Sequence, residues 1–375
     1  MNFDYSQDQV LLKEQARRFL DAECTSSVTR KILDNPDLRF DKNLWKQVVE
    51  LGWTGIAIPE EFGGTGMGHV DLCAIAEELG RVVAPIPFAT TVYVFAEAIM
   101  LAGTDEQKKA LLPKIAAGEL IGCLATAEGQ GYFHPEKANT RVKKGRLSGT
   151  KLPVIDGDVA SHALVMAGTE DGAGLFIVRL DQEGVTKAPM ASLDPTRSLA
   201  RLSFENVACE PLGSSADGAA QLSKILDRAA VPVAFEQIGG AERCLEAALS
   251  FSAERFAFGK TIANYQAIKH KLADIYIKKE IARSNAYFGA WALDTHAVEL
   301  PRAAAAARIA GIQAYEFAAQ ESLQTHGGMG FTWEMDCHLH LRRSRQLALC
   351  LGGLPIWRER LVSEMEGVEQ HKARA

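Results

Sequence analysis

After Pro301 the chain enters an alanine-rich run, Arg302-Ala303-Ala304-Ala305-Ala306-Ala307-Arg308, that continues to about Thr325 and stops near Gly327-Gly328. Proline is tolerated in the first turn of a helix, where its missing N–H has no intrahelical partner. Alanine is the strongest helix former. The run therefore predicts one helix well above the average length for globular domains. A helix of that length needs neighbours along its whole extent, which points to a bundle.

The rest of the chain divides around that expectation. Residues 1–120 read as helices. Ser6 with Gln9 forms a capping box before the face Val10, Leu11, Phe19, Leu20, and Thr104 with Gln107 forms another before Ala110, Leu111, Leu112 and Ile115. Leu44, Trp45, Val48, Val49 and Leu51 lead to a stop at Gly52, and Leu72, Ile75, Ala76 and Leu79 to a stop at Gly80. Residues 121–216 change character. Short runs such as Ala163-Leu164-Val165-Met166 and Leu175-Phe176-Ile177-Val178 alternate with the turns Asp156-Gly157, Asp171-Gly172 and Glu183-Gly184, and Leu202-Ser203-Phe204 alternates as a strand does. This stretch is read as a small β domain, and residues 217–375 as a second helical domain. The loop Pro59-Glu60-Glu61-Phe62-Gly63-Gly64-Thr65-Gly66 is glycine-rich but lacks the Lys-Ser/Thr ending of a phosphate-binding loop, so it reads as a structural turn.

Composition narrows the function. The 375 residues are 47% hydrophobic with a net charge of −6, enough apolar content for sizeable cores and the wrong sign for a nucleic-acid or anionic-membrane partner. Seven scattered cysteines, Cys24, Cys73, Cys123, Cys209, Cys244, Cys337 and Cys350, form no CxxC pair and fit reduced thiols in a cytoplasmic protein. The start Met1-Asn2-Phe3-Asp4-Tyr5 does not read as a signal peptide, and no apolar run reaches the roughly 20 residues of a membrane span. His326, His338 and His340 lack a matching carboxylate–cysteine cluster, so no metal site is expected.

Two distant segments carry the functional signal: Arg255-Phe256-Ala257-Phe258-Gly259-Lys260 and Gln324-Thr325-His326-Gly327-Gly328-Met329-Gly330. With the Ile58-to-Gly64 turn, Tyr265-Gln266-Ala267-Ile268, Leu272-Ala273-Asp274 and the Arg342-Arg343 region, they make essentially the whole chain resemble the FAD-dependent acyl-CoA dehydrogenases. That resemblance implies an α+β protein: an N-terminal helical domain, a small β-barrel-like middle domain and a C-terminal four-helix bundle. It implies FAD as cofactor, an acyl-CoA thioester as substrate and an electron-transfer flavoprotein as acceptor. A pyrophosphate needs a guanidinium and nearby backbone N–H groups. Arg255 offers the first, and the glycines Gly327, Gly328 and Gly330 permit close backbone approach. In the family the residues matching Arg255, Phe258, Gln324 and Gly328 reach the FAD of a neighbouring subunit, so a dimer or tetramer is implied; Gln266, Thr126 and Ala127 join them as candidate cofactor contacts.

The residues for the flavin's other end depart from the family. Its reaction takes a proton from the carbon beside the thioester, which needs a positioned carboxylate. The family's usual glutamate aligns with Leu351, and a minority position with Ala229; neither takes a proton. Glu236, two helical turns beyond Ala229 among apolar neighbours, is the nearest carboxylate. It reads either as an unorthodox base or as a buried glutamate hydrogen-bonded to a neighbouring helix or lining the far end of the pocket. The family's Thr-Glu-Pro is here Ala127-Glu128-Gly129, followed by Gln130-Gly131-Tyr132, and its flavin-flanking tryptophan and threonine align with Pro153 and Ile155. Three readings follow: a dehydrogenase making a 2,3-enoyl-CoA with Glu236 as base; a subunit of a mixed tetramer completing another chain's FAD site; or an acyl-CoA-binding flavoprotein whose chemistry needs no α-proton base. The wording Gly327-Gly328-Met329-Gly330-Phe331-Thr332-Trp333-Glu334 looks more like mixed-tetramer members acting on bulky acyl-CoAs, including steroid side chains, than like straight-chain fatty acyl enzymes.

Overall fold

The computed structural model describes residues 5–130, 137–170, 172–213 and 217–374, with side chains to residue 367. The Gly131-Tyr132 step and Asp171 of one expected turn lie outside the described residues. The helices are α1 (Gln7–Glu23), α2 (Ser26–Leu33), α3 (Lys42–Glu50), α4 (His69–Arg81), α5 (Glu97–Ala102), α6 (Asp105–Ala116), α7 (Gly218–Glu254), α8 (Gln266–Asp294), α9 (Leu300–Thr325), α10 (Cys337–Leu349) and α11 (Leu354–Arg374). The strands are β1 (Gly122–Ala125), β2 (Arg141–Lys143), β3 (Arg146–Ile155), β4 (His162–Gly168), β5 (Ala173–Arg179), β6 (Val185–Met190), β7 (Leu199–Ala208), β8 (Glu210–Pro211), β9 (Phe256–Ala257) and β10 (Lys260–Thr261). The helical–β–helical order is the expected one. The chain packs as two units, one holding residues 1–29, 69–84 and 230–375, the other 30–68 and 85–229.

In the first unit α8 and α9 pack along each other, with α10 and α11 on α9 and α4 on α1 and α8. The alanine-rich run is α9, with Pro301 in its first turn. The small side chains Ala303, Ala304, Ala307, Gly311, Ala314 and Ala318 are all buried and let its neighbours approach. The Ser6–Gln9 capping box opens α1. Gly80 corrects the expected stop: α4 runs one residue further, to Arg81. The glycine instead serves a helix crossing, since a Cβ there would stand 2.0 Å from the carbonyl oxygen of Glu236 on α7. Gly239 faces the carbonyl of Glu77 in the same way, at 1.8 Å. An ionic cluster seals this region. Glu77 and Glu78, both 1% exposed, take Lys13 at 2.6 Å, Arg17 at 2.9 Å and Arg283 at 3.0 Å.

In the second unit the strands form one mixed sheet in the order β6-β7-β3-β2-β4-β5-β8, with β1 parallel to β4. Its core includes Leu147 and Val154 of β3, a strand not read from the sequence, with Ala163, Val165, Phe176, Val178, Leu202, Phe204 and Val207. Between Lys151 and Val154 the β3–β7 register shifts by one residue, a bulge. The Thr104–Gln107 capping box opens α6. The Pro59–Gly66 stretch is a turn: Gly63 has φ +80°, and a Cβ on Gly64 would meet the carbonyl oxygen of Ile58 at 2.0 Å.

Candidate cofactor-binding site

The Arg255–Lys260 segment is a two-residue hairpin. β9 pairs antiparallel with β10, Ala257 opposite Lys260, and Phe258 and Gly259 turn the chain with φ of +49° and +81°. Two left-handed residues are what a type I′ hairpin turn demands. Glycine meets that demand freely; phenylalanine at positive φ is uncommon and marks a functional candidate. Its ring is 98% exposed, Phe256 is 66% exposed, and Arg255 is exposed beside them. The hairpin is braced from below: the Tyr265 hydroxyl donates to the Ala257 carbonyl at 2.9 Å, the Lys260 ammonium lies 4.3 Å from the Tyr265 ring centroid, and the Ile262 N–H donates to the Arg255 carbonyl at 2.8 Å. Gln266 follows as the exposed first residue of α8.

The second segment closes α9. Gln324 is exposed in its last turn, and Gly327–Phe331 forms a 3-10 turn. Gly327, at φ +60°, and Gly328 have nothing within 4 Å of a Cβ position, so their backbone faces open space. Gly330 differs: its Cβ position lies 2.3 Å from the Leu323 carbonyl oxygen, so this glycine serves the turn itself. The segments begin 69 residues apart, at Arg255 and Gln324, but the rings of Phe251 and His326 stack at 4.3 Å. The His326 Nδ1–H donates to the Ser322 carbonyl at 2.7 Å, which fixes the ring on its own helix. The structure thus brings Arg255, Phe258, Gln324, Gly327 and Gly328 to one end of the bundle. An exposed guanidinium, two open glycine backbones and an uncovered aromatic ring suit a diphosphate-linked aromatic ligand.

Glu236 lies elsewhere. It is 19 residues before Arg255 along α7, about 28 Å of axial rise. It is 3% exposed, its backbone packed against Gly80, and it lies within the electrostatic field of Arg308. Arg308, on α9, is wholly buried. It donates to Gln237 Oε1 at 2.6 Å, to the Leu347 carbonyl and to Cys350 Sγ at 3.6 Å. Burial lowers its pKa, and the charges of Cys350 and Glu236 oppose that shift. It therefore ties α7 and α9 to the turn between α10 and α11 that carries Leu351, which is 8% exposed. The histidines have structural partners: His338 Nε2 bonds the Trp333 carbonyl, and His340 bonds the Tyr315 hydroxyl at 2.9 Å, with burial pushing the His340 pKa down to about 3. Among the described residues no cluster of three metal-ligating side chains occurs.

In the second unit Thr126 and Ala127 are half-buried just after β1. The Ala127 carbonyl accepts from the Leu152 N–H and the Thr126 carbonyl from the Lys151 ammonium, both at 2.9 Å. Lys151, fully buried, also reaches Glu128 at 2.7 Å, and Glu128 accepts from the N–H groups of Asn139 and Thr140. Burial pushes Glu128 up, but Lys151 and the two N–H groups prevail and hold it at about 2. Sequence reasoning missed this clamp; its partners are 23 residues apart and no periodicity links them. It also missed the Phe251–His326 stack and Arg308. Pro153 and Ile155 flank the core residue Val154 on β3, Pro153 exposed and Ile155 half-buried.

The helical halves match known family domains: residues 6–119 the acyl-CoA dehydrogenase N-terminal domain, and 216–364 the acyl-CoA dehydrogenase C-terminal domain. The chain belongs to the acyl-CoA dehydrogenase family, whose members are FAD flavoproteins. It is 34% identical over 316 residues, 84% of each chain, to the acyl-CoA dehydrogenase IpdE2 of Mycobacterium tuberculosis. Among solved structures it is similar to a variant of the steroid ACAD Tcur3481-Tcur3483, with 30% identity, TM-score 0.88 and coverage of 97% of this chain and 99% of that one. It is also similar to the ChsE4-ChsE5 complex of Mycobacterium tuberculosis, with 25% identity, TM-score 0.88 and coverage of 98% and 99%. Among the described residues no helix is long and apolar enough to cross a membrane.

Proposed function

We propose that this chain is a subunit of an acyl-CoA dehydrogenase that converts a bulky acyl-CoA to its 2,3-enoyl-CoA, and that it completes the FAD site of a second acyl-CoA dehydrogenase-like chain. The observation that carries this reading is Phe258: an aromatic ring 98% exposed, on a left-handed backbone, beside Arg255. Such a ring gains its contacts only from another molecule. FAD, when bound, would supply the acceptor for a hydride from the substrate's β-carbon, and an electron-transfer flavoprotein would be the onward electron acceptor. Arg255 would supply charge to the pyrophosphate, the Gly327 and Gly328 backbones would let it approach, and Phe258 would cover the adenosine; Gln324 and Gln266 would add polar contacts. The relatives support the bulky substrate and the mixed assembly, because one is described as a steroid ACAD and another as a two-protein complex.

The proton-abstracting residue would come from the other chain. Leu351 offers no basic atom, and Glu236 lies buried in the core within the field of the Arg308 guanidinium. A second reading, in which this chain holds its own FAD and Glu236 is the base, draws on the burial of Glu236 beside Phe235 and Ile238. The visible spectrum of the chain purified alone, taken with its native mass, separates the two. FAD well below one per chain, rising when a second family member is co-expressed, supports the first. One FAD per chain with turnover that Glu236→Gln abolishes would establish the second.

A further inference from the structure

The second unit holds a pocket of about 700 Å³, and none of the candidate cofactor residues lines it. That volume falls within the range of small-molecule sites. The last turn of α2, the loop before α3, the first turn of α3, the residue before β1 and the turn after β3 build its wall. Part of the wall is apolar: Ile32 is buried, and Leu38, Phe40, Ile121 and Val159 are half-buried. Three cations, Lys31, Arg39 and Lys42, share it. The two lysines are exposed and have no ionic partner among the described residues. Arg39 is held from one side: its Nε lies 3.2 Å from Oδ2 of Asp158, which is 9% exposed and accepts the Ser198 hydroxyl at 2.5 Å. No other acceptor meets that guanidinium among the described residues. The two acids in the wall differ. The Asp41 carboxylate accepts the Leu44 N–H at 2.8 Å and caps α3, whereas Asp37 pairs with no cation among the described residues.

We infer that this pocket binds a small amphipathic carboxylate, its apolar body against Phe40, Ile121 and Val159 and its charge among Arg39, Lys31 and Lys42. A planar guanidinium steadied by a nearly buried acid offers a preset fork to a carboxylate. The lysines, on flexible stems, add charge without fixing geometry. Three cations against one unengaged acid, Asp37, select an anion over a cation. The apolar wall selects an anion with a hydrocarbon body over inorganic phosphate, which would leave that wall uncovered. The site is independent of which chain holds the flavin, because its lining and the candidate cofactor residues have no member in common.

The test is octanoate titrated against the full chain and followed by ligand-observed NMR, with octan-1-ol as the uncharged control. Octanoate is expected to saturate and to bind about tenfold or more tightly than octan-1-ol, the gain of charge-assisted hydrogen bonds. Lys31→Glu/Lys42→Glu changes two exposed side chains and should weaken octanoate about tenfold while leaving octan-1-ol unchanged. Asp37→Asn removes the opposing charge and should tighten octanoate. Val159→Trp fills the apolar side and should abolish binding of both; should it misfold, the surface charge variants still decide the matter. Equal affinity for octanoate and octan-1-ol would overturn the proposal. So would octanoate binding that Lys31→Glu/Lys42→Glu leaves unchanged, since the ligand would then occupy another cavity.

Discussion

Lys151 and Glu128 show what one buried charge imposes on its surroundings. A lysine with no solvent exposure holds its carboxylate at 2.7 Å, and together they fasten the turn after β1 to β3. Glu128→Gln leaves that ammonium without its counter-charge, and the expected loss is about 3 kcal/mol, read as a lower urea midpoint. The folded Glu128 pKa falls from 4.5 to about 2, so its contribution to stability is full above pH 4.5 and is lost as pH drops toward 2. Urea midpoints taken across that window should fall more steeply for the wild type than for Glu128→Gln. Phe258 is the opposite case, since almost none of its ring touches its own chain. Phe258→Ser should leave the melting temperature unchanged while lowering FAD retention in the assembled protein by about tenfold; an equal loss of both would make the ring a packing residue.

Among the elements, the glycines divide by what surrounds them. Gly80→Ala drives a methyl group to 2.0 Å from the Glu236 carbonyl oxygen, so α4 and α7 must separate, at a cost of about 2 kcal/mol or more in thermal unfolding. Gly328→Ala meets nothing within 4 Å and should leave folding nearly intact, so any effect belongs to the ligand it faces. These roles mark where the sequence could be read and where it could not. Gly52 was legible as a stop because it takes the left-handed conformation, φ +76°, that follows a helix end. Gly80 has the same place in its apolar pattern, but its reason is a residue 156 positions later. The capping boxes were legible because both partners lie three residues apart, and α9 because alanine and a leading proline act locally.

Across the whole molecule, the order of helical, β and helical regions was legible because the period of the hydrophobic pattern changes with it. The packing into two units was not, because each joins segments distant along the chain. The candidate site was legible through the family resemblance of two segments, which hold an arginine, an aromatic and a glycine run. Its shape was not, because it rests on a ring contact between α7's last turns and α9's end. That contact has its own consequence. Phe251 and His326 hold the two segments at a fixed spacing before any ligand arrives. The face is then a mould rather than a pair of fingers: its ordering cost is met once, during folding, and the nucleotide proposed to bind there would meet a surface with little left to lose.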